Sequence, residues 1–283
     1  PKKWLKSPSR VWELRQRLRE QSFDVSFDTQ GLTKSAIAAW LSGARIRIGF
    51  TRGEAREIAP LLNNRLIRPD GRHVVRMALS LLSGIGDNPP DVPEFVLPPC
   101  PAEDAARIDL LLARPEYAPG FVLLGPWGTF RSKLWPAERF LELAVRIRGK
   151  TGLISLMLGH GEYERRTVRE LACGSGGALD LAPELTLAGV AELARRASLF
   201  VGGDSFPLHI ASAVGCRALG LYGITDPLRL GPLPPNGESV YEWLTLIKSP
   251  RKRRRMEPDN MLALGVDKVF GRCLDMLARH HKE

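Results

Sequence analysis

The run Ser198-Leu-Phe-Val-Gly-Gly-Asp-Ser-Phe-Pro-Leu-His209 reads as a strand end, a tight turn and a helix start. Ser198 to Val201 is short and mostly apolar, as a strand buried on both faces should be. Gly202 and Gly203 let the backbone bend and let a ligand come close. Pro207 suits the first helical position, and Asp204 or Ser205 falls near the cap. A helix N-terminus beside two glycines is a place for an anion, often a phosphate. His209 lies in the first turn of that helix, within reach of the same ligand. A strand–helix corner with a capping Asp and no ligand fits these letters as well, so the surrounding chain has to decide.

That chain alternates strands with helices, the pattern of a parallel α/β sheet. In the first part, a helix is expected over Val11–Gln21, a strand over Phe23–Phe27 and a helix over Leu32–Leu41. A strand over Ala44–Gly49 and helices over Arg52–Leu62 and Val74–Leu82 follow. Asp87 to Pro101 holds six prolines in fifteen residues and reads as a linker. The second part gives strands at Phe121–Leu124, Leu153–Leu158, Ser198–Val201 and Arg217–Tyr222. Helices separate them at Trp135–Arg148, Tyr163–Cys173 and Leu187–Ala197. Leu262, Val266, Phe270, Cys273 and Leu277 mark the apolar face of a last helix. With 283 residues, about two domains are expected. They are placed at 1–100 and 101–265, with a C-terminal helix at 266–283.

Composition excludes several classes. No apolar run is long enough to cross a bilayer, and no signal peptide is visible. The four cysteines are widely spaced, which argues against a zinc site or a disulfide framework. There is no Asp-x-Asp pair of the kind that holds a metal-bound nucleotide sugar. The formal charge is +10, which points to an anionic partner: nucleic acid, acidic lipid or a phosphorylated substrate. Lys248 to Arg255 is a dense basic run that reads equally well as a solvated loop. The chain starts on Pro1 rather than Met, so an N-terminal piece is expected to be missing.

Three of the expected strands end beside polar residues: Thr129 and Lys133, Glu162, and Asp204, Ser205 and His209. In an open parallel sheet, ligands bind outside the carboxyl ends of the strands. These loops are therefore expected to meet over one crevice. Lys133 suits a phosphate oxygen before or during bond breaking, Glu162 suits ribose hydroxyls, and His209 suits a phosphate or a proton. No nucleophile, triad or metal site accompanies them.

The segments Lys133-Leu-Trp-Pro136, Gly159-His-Gly-Glu162, Gly202 to His209 and Leu221-Tyr-Gly-Ile-Thr-Asp-Pro227 resemble glycosyltransferase family 9 in order and spacing. This is the family of the ADP-heptose:lipopolysaccharide heptosyltransferases. Phe27-Asp-Thr-Gln-Gly-Leu-Thr-Lys-Ser35, Arg52-Gly-Glu-Ala-Arg56 and Asn64-Arg65 are similar to its type I branch. The resemblance implies a GT-B fold, two Rossmann-like α/β domains facing across a cleft. It implies an ADP-heptose donor held by Thr129, Lys133, Glu162, Leu185, Asp204, Ser205, Phe206, Pro207 and His209, with Lys133 also steadying the leaving phosphate. It implies an anionic Kdo–lipid A acceptor met by Lys2, Lys3, Lys6, Arg56 and Arg65. The reaction would invert the anomeric carbon without metal or cofactor, at the cytoplasmic face of an inner membrane, and no nucleic acid is implied.

Three departures from the family stand out. Its first strand and the Gly-Asp loop that carries the general base do not precede Pro1, so the N-terminal domain is expected to lack its first strands and the chain its base. Phe206 stands where the family has Gly, which is expected to force an extended backbone before Pro207 and to narrow the sugar pocket. The cysteines that the family often carries near the basic run are absent. The rival readings are a relative using another nucleotide sugar or acceptor, a donor-binding fragment or pseudoenzyme, and a nucleic-acid binder using Lys248 to Arg255. The last is disfavoured because no recognised nucleic-acid module accompanies the charge.

Overall fold

The computed structural model describes residues 7–247 and 249–279, with only the backbone of Pro250 and Arg251. The chain divides into two compact units, Pro1–Pro93 and Glu94–Glu283, so the break falls inside the proline-rich stretch. Each unit has its own fully parallel sheet.

The first unit runs through a helix at Pro8–Glu20, strand β1 at Val25–Phe27, a helix at Thr33–Leu41 and strand β2 at Ile46–Phe50. A short helix at Ala59–Leu62, strand β3 at Arg65–Ile67 and a helix at Val74–Ser80 complete it. The strand order is β1-β2-β3, with Val25 opposite Ile46 and Ile48 opposite Arg65. Ile48, Phe50, Met77 and Leu81 form its core. Asp28, buried just past β1, accepts the amide N–H of Gly31 at 3.0 Å. Gly31 takes φ +59°, which is why the turn closes on a glycine.

One helix is shorter than the sequence suggests. Residues 52–58 form turns, and the helix expected over Arg52–Leu62 exists only from Ala59. Pro60 is the cause. It has no N–H to return to residue 56, and its ring would crowd that carbonyl, so a helix can begin at Ala59 but cannot pass through Pro60. Glu57, at φ 53°, turns the chain just before it. Arg56 therefore sits on a turn rather than along a helix.

Among the described residues the second unit has six strands: β4 Phe121–Gly125, β5 Ile154–Met157, β6 Leu179–Leu181, β7 Leu199–Gly203, β8 Ala218–Leu221 and β9 Gly237–Val240. Helices at Ala137–Thr151, Gly161–Cys173, Leu187–Arg196 and Phe206–Ala213 make the crossovers. The order across the sheet is β6-β5-β4-β7-β8-β9. The chain thus works outward from β4 to one edge, returns to the middle at β7, and works outward to the other edge. That is the doubly wound arrangement, and its switch point lies between β4 and β7.

β4 is buried along its whole length. Its alternate residues serve two cores, because successive side chains of a strand point to opposite faces. Val122 and Leu124 pack with Phe140, Leu143, Ile147 and the last helix, Val266–Ala278. Phe121 and Leu123 pack with Ile108, Leu193 and Phe200 on the other face. Each such side chain contributes roughly 1.5–3 kcal/mol of burial. The last helix belongs to this core through Val266, Val269, Cys273, Met276 and Leu277. Leu262, expected on its stripe, lies instead on a separate short helix, Asp259–Ala263, with Gly265 extended between the two. Strands β3, β6 and β9 escaped the sequence reading because they are short and carry polar residues such as Asp180 and Glu238. Among the described residues, no helix is long and apolar enough to cross a membrane.

The middle of the sheet is packed without slack. Gly125 of β4 pairs with Gly202 of β7. A methyl group on Gly202 would stand 2.7 Å from the carbonyl oxygen of Gly125 and 2.9 Å from the ring of Phe200. The substitution Gly202→Ala is therefore expected to destabilise the fold by about 1–3 kcal/mol, the range for overpacking. Denaturant unfolding of the variant against the parent checks this; an unchanged midpoint would contradict the packing described.

Candidate functional site

The switch point gathers the polar residues. After β4 the chain loops over residues 126–133 and re-enters the core at Trp135. There the indole N–H donates to the carbonyl of Leu264 at 2.8 Å, and the ring stands edge-on to Phe140. Lys133 is thereby held just short of a fixed anchor. After β7 the chain turns through Asp204 and Ser205 into the helix Phe206–Ala213. The two loops are in close register. A methyl group on Gly128 would lie 3.9 Å from the Cβ of Ser205, and one on Gly203 would lie 3.0 Å from the carbonyl oxygen of Lys133.

Asp204 is the hub. Its Oδ2 accepts a hydrogen bond from Lys133 Nζ at 2.6 Å, in an ion pair whose side chains are only 14% and 7% exposed. Its Oδ1 lies 3.3 Å from His209 Nε2. The buried hydroxyl of Thr225, on the loop after β8, is a third partner. Burial alone would push the Asp204 carboxyl upward. The hydrogen bond with His209, the Lys133 ammonium and the Thr225 hydroxyl outweigh it and hold the group down at about 2. The carboxylate therefore stays ionised at neutral pH, with an ammonium fixed beside it.

The helix that follows has an N-terminus without a side-chain cap. Ser205 is its N-cap, in extended conformation at φ −140°, ψ 167°, and makes no side-chain capping bond. Its Oγ is buried and has no hydrogen-bond partner. Pro207 sits at the second helical position, where its missing N–H costs no hydrogen bond. The extended residue is thus Ser205 and not Phe206, which already lies in the helix. Phe206 is 59% exposed. The expected extended Phe206 is corrected by one position, because Ser205 makes the turn and frees its successor to take up helical geometry.

The other expected donor residues lie along the same carboxyl edge, in separate contacts. Thr129 is exposed, close to the Gly128–Ser205 approach. Glu162 opens the helix after β5, exposed, 3.3 Å from Arg169. Leu185 is half-buried in the loop after β6, against the second core. The loops of β4 and β5 are joined by Trp127, whose N–H donates to the carbonyl of Leu158 at 2.7 Å and whose ring meets Tyr163 edge-on. The loops of β5 and β6 are joined by Glu184, which accepts from the amide of Gly161 at 3.4 Å. Lys133, Asp204 and His209 form one hydrogen-bonded cluster; Glu162 and Leu185 make no described contact with it.

In the first unit, Arg65 opens β3 and its guanidinium donates to the carbonyl of Gly84. The backbone N–H of Arg56 donates to the carbonyl of Gly31 at 2.8 Å, and its side chain is exposed. Lys2, Lys3 and Lys6 lie outside the described residues. Among those described, no three His, Cys, Asp or Glu side chains gather as a metal-ligand set.

Sequence reasoning missed two contributors. Thr225 lies inside the segment Leu221–Pro227, yet only the neighbouring strand ends bring its hydroxyl to Asp204. Phe130 is the other: its ring is contacted by Lys133 Nζ at 5.6 Å from the centroid and by the Arg254 guanidinium at 5.5 Å.

The family profile described as glycosyltransferase family 9 (heptosyltransferase) matches residues 11–259. The chain belongs to glycosyltransferase family 9. Lipopolysaccharide heptosyltransferase 1 of Pseudomonas aeruginosa is 32% identical to it over 215 residues, covering 75% of this chain and 58% of the Pseudomonas protein. The chain thus matches a little over half the length of that relative. The structure of the Escherichia coli heptosyltransferase WaaC with ADP superposes with a TM-score of 0.68 at 22% identity, covering 97% of this chain and 81% of that one. A family 9 glycosyltransferase from Veillonella parvula gives a TM-score of 0.72 at 18% identity, over 96% of this chain and 80% of its own. These likenesses bear out the expected α/β fold with parallel sheets, which matches the solved GT-B heptosyltransferases.

The depressed Asp204 carboxyl has a consequence for this family 9 chain. Because its folded value lies below its unfolded one, it adds stability that is complete above 3.8 and is lost as the pH falls toward about 2. The parent is expected to lose on the order of 2 kcal/mol more than Asp204→Asn across that window. Urea unfolding at stepped pH reads the difference; parallel curves would show that the ion pair contributes nothing to folding.

Proposed function

We propose that the protein transfers heptose from ADP-heptose to a Kdo-bearing lipopolysaccharide inner-core acceptor, with inversion at the anomeric carbon and without metal or cofactor. The observation that carries this reading is the buried Lys133–Asp204 pair at the switch point between β4 and β7, where doubly wound sheets bind nucleotides. Membership of family 9 and the name of the Pseudomonas relative support the heptosyl and lipopolysaccharide assignment, and the Escherichia coli heptosyltransferase solved with ADP supports an ADP-sugar as donor.

In this reading the diphosphate lies against Ser205 and the amide of Phe206, at the N-terminus of the helix. Lys133 neutralises the negative charge that grows on the departing ADP, an electrostatic role suited to a site shielded from water. Asp204 keeps the ammonium aimed before the phosphate arrives, and His209 and Thr225 fix that carboxylate in turn. Glu162 takes the ribose hydroxyls and Leu185 borders the adenine, while Thr129 completes the diphosphate side. Arg56 and Arg65, with Lys2, Lys3 and Lys6, meet the anionic acceptor. The acceptor's lipid places the enzyme at the inner membrane's cytoplasmic face. The base that takes the acceptor proton is not assigned to a residue of this chain.

The test is ADP release from ADP-heptose with a Kdo–lipid A acceptor, in the complete natural protein. Lys133→Ala is expected to lower kcat by roughly 100-fold while the protein stays folded, the scale for removing one charge-stabilising donor. Asp204→Ala is expected to lower it as well. Unchanged kinetics in both would remove the site. EDTA is expected to leave the rate intact. Phe206→Gly is expected to alter the preference among ADP-, GDP- and UDP-sugars, since the exposed ring stands at the entrance to the same helix. Identical preference would show that Phe206 takes no part in donor choice.

A further inference from the structure

The basic run near the C-terminus is not a detached loop. Ser132, one residue before Lys133, donates its hydroxyl to the carbonyl of Arg253 at 2.6 Å. Arg131 lies 3.8 Å from Glu257. Phe130 is half-buried and is contacted by both Lys133 and Arg254. The segment that follows β9 is thereby fastened to the loop that carries the candidate phosphate ligand, within one unit of the fold.

The charges around Phe130 are unequal. The Lys133 ammonium is already offset by the buried carboxylate of Asp204 at 2.6 Å. A nucleoside diphosphate brings more than one negative charge, so one ammonium that is already paired leaves it under-compensated. Arg254 is exposed, and no carboxylate among the described residues pairs with it. Its guanidinium is held over a phenyl ring, which orients a planar cation and leaves its edge N–H groups free for an oxyanion. Within the run, Arg253 donates to the carbonyl of Ile247, and Lys252 extends into solvent.

We propose that Arg254, seated on Phe130, is a second cation for the diphosphate of the donor and for the nucleotide that leaves. The inference rests on the donor reading above and assigns it a residue on a different segment. Arg254 contacts the phosphates; Phe130 is a positioning residue that links the two cations. The basic run then has a specific use in one of its members.

Binding of ADP, GDP and UDP to the intact protein, measured by calorimetry at two salt concentrations, tests this. Arg254→Ala is expected to weaken the bound diphosphate about 10-fold or more, the scale of a charge-assisted hydrogen bond. It is also expected to flatten the salt dependence and to leave competition by adenosine within about 2-fold. Arg254→Lys is expected to restore part of the affinity, and Lys252→Ala to leave it within about 2-fold. If Lys133→Ala weakens binding and Arg254→Ala does not, this inference fails while the donor site stands. If Lys252→Ala matches Arg254→Ala, the effect is a diffuse field and the assignment to Arg254 is overturned. If the folded parent binds none of the three diphosphates, the donor reading fails and takes this inference with it.

Discussion

An ammonium after β4 and a carboxylate after β7 meet at 2.6 Å, both nearly shut off from water. The position of everything else at the carboxyl edge follows from how that contact is reached. Strand order makes β4 and β7 neighbours although about seventy residues separate their loops. The glycines at the strand ends then let the loops approach until the carbonyl oxygen of Lys133 would lie only 3.0 Å from a methyl group on Gly203. Trp135, locked to Leu264, stops the loop from drifting. The pair is thus fixed by the backbone of a rigid sheet rather than by the reach of two flexible side chains.

An arrangement of this kind is hard to explain by stability alone. Taking two charges out of water is costly, and an apolar pair of similar volume is often as stable or more so. The cost here is reduced by His209 and Thr225, which occupy the remaining capacity of the carboxylate and hold it ionised. What the fold obtains is an ammonium already oriented at a fixed place. That saves reorganisation when negative charge develops nearby, which is the main means by which a protein stabilises a charged transition state.

Legibility in the sequence followed the physics of each feature. The strand–glycine–helix corner and the crossover helices were readable because apolar periodicity and glycine placement are local. Lys133, Asp204 and His209 were readable as candidates because each follows the carboxyl end of a strand in a sheet that gathers strand ends. Their mutual bonds were not readable, since strand order is a tertiary fact. Thr225 shows this: its motif was plain, but its partner lies on another strand's loop. The overlong helix at Arg52 failed for a different reason. Pro60 stands inside that span, and its clash with the carbonyl four residues earlier stops a helix from running through it. Short edge strands such as Leu179–Leu181 carry too few residues to show alternation.

The corner around Ser205 shows how structure separates readings that letters leave equal. A bare strand–helix corner would be expected to use its Ser or Asp to cap the helix, since an unsatisfied N-terminus is unfavourable. Here neither does. Asp204 is turned away to Lys133, His209 and Thr225, while Ser205 leaves its Oγ buried without a partner. Buried hydroxyls in native proteins are nearly always bonded, and the exceptions tend to mark places where something else supplies the partner. A helix end that withholds its own two caps, beside an ammonium held ready, is better suited to receiving an oxyanion than to closing a turn. The same reasoning accounts for the proline at the second helical position: it stiffens the entry while leaving the amides on either side of it free to donate.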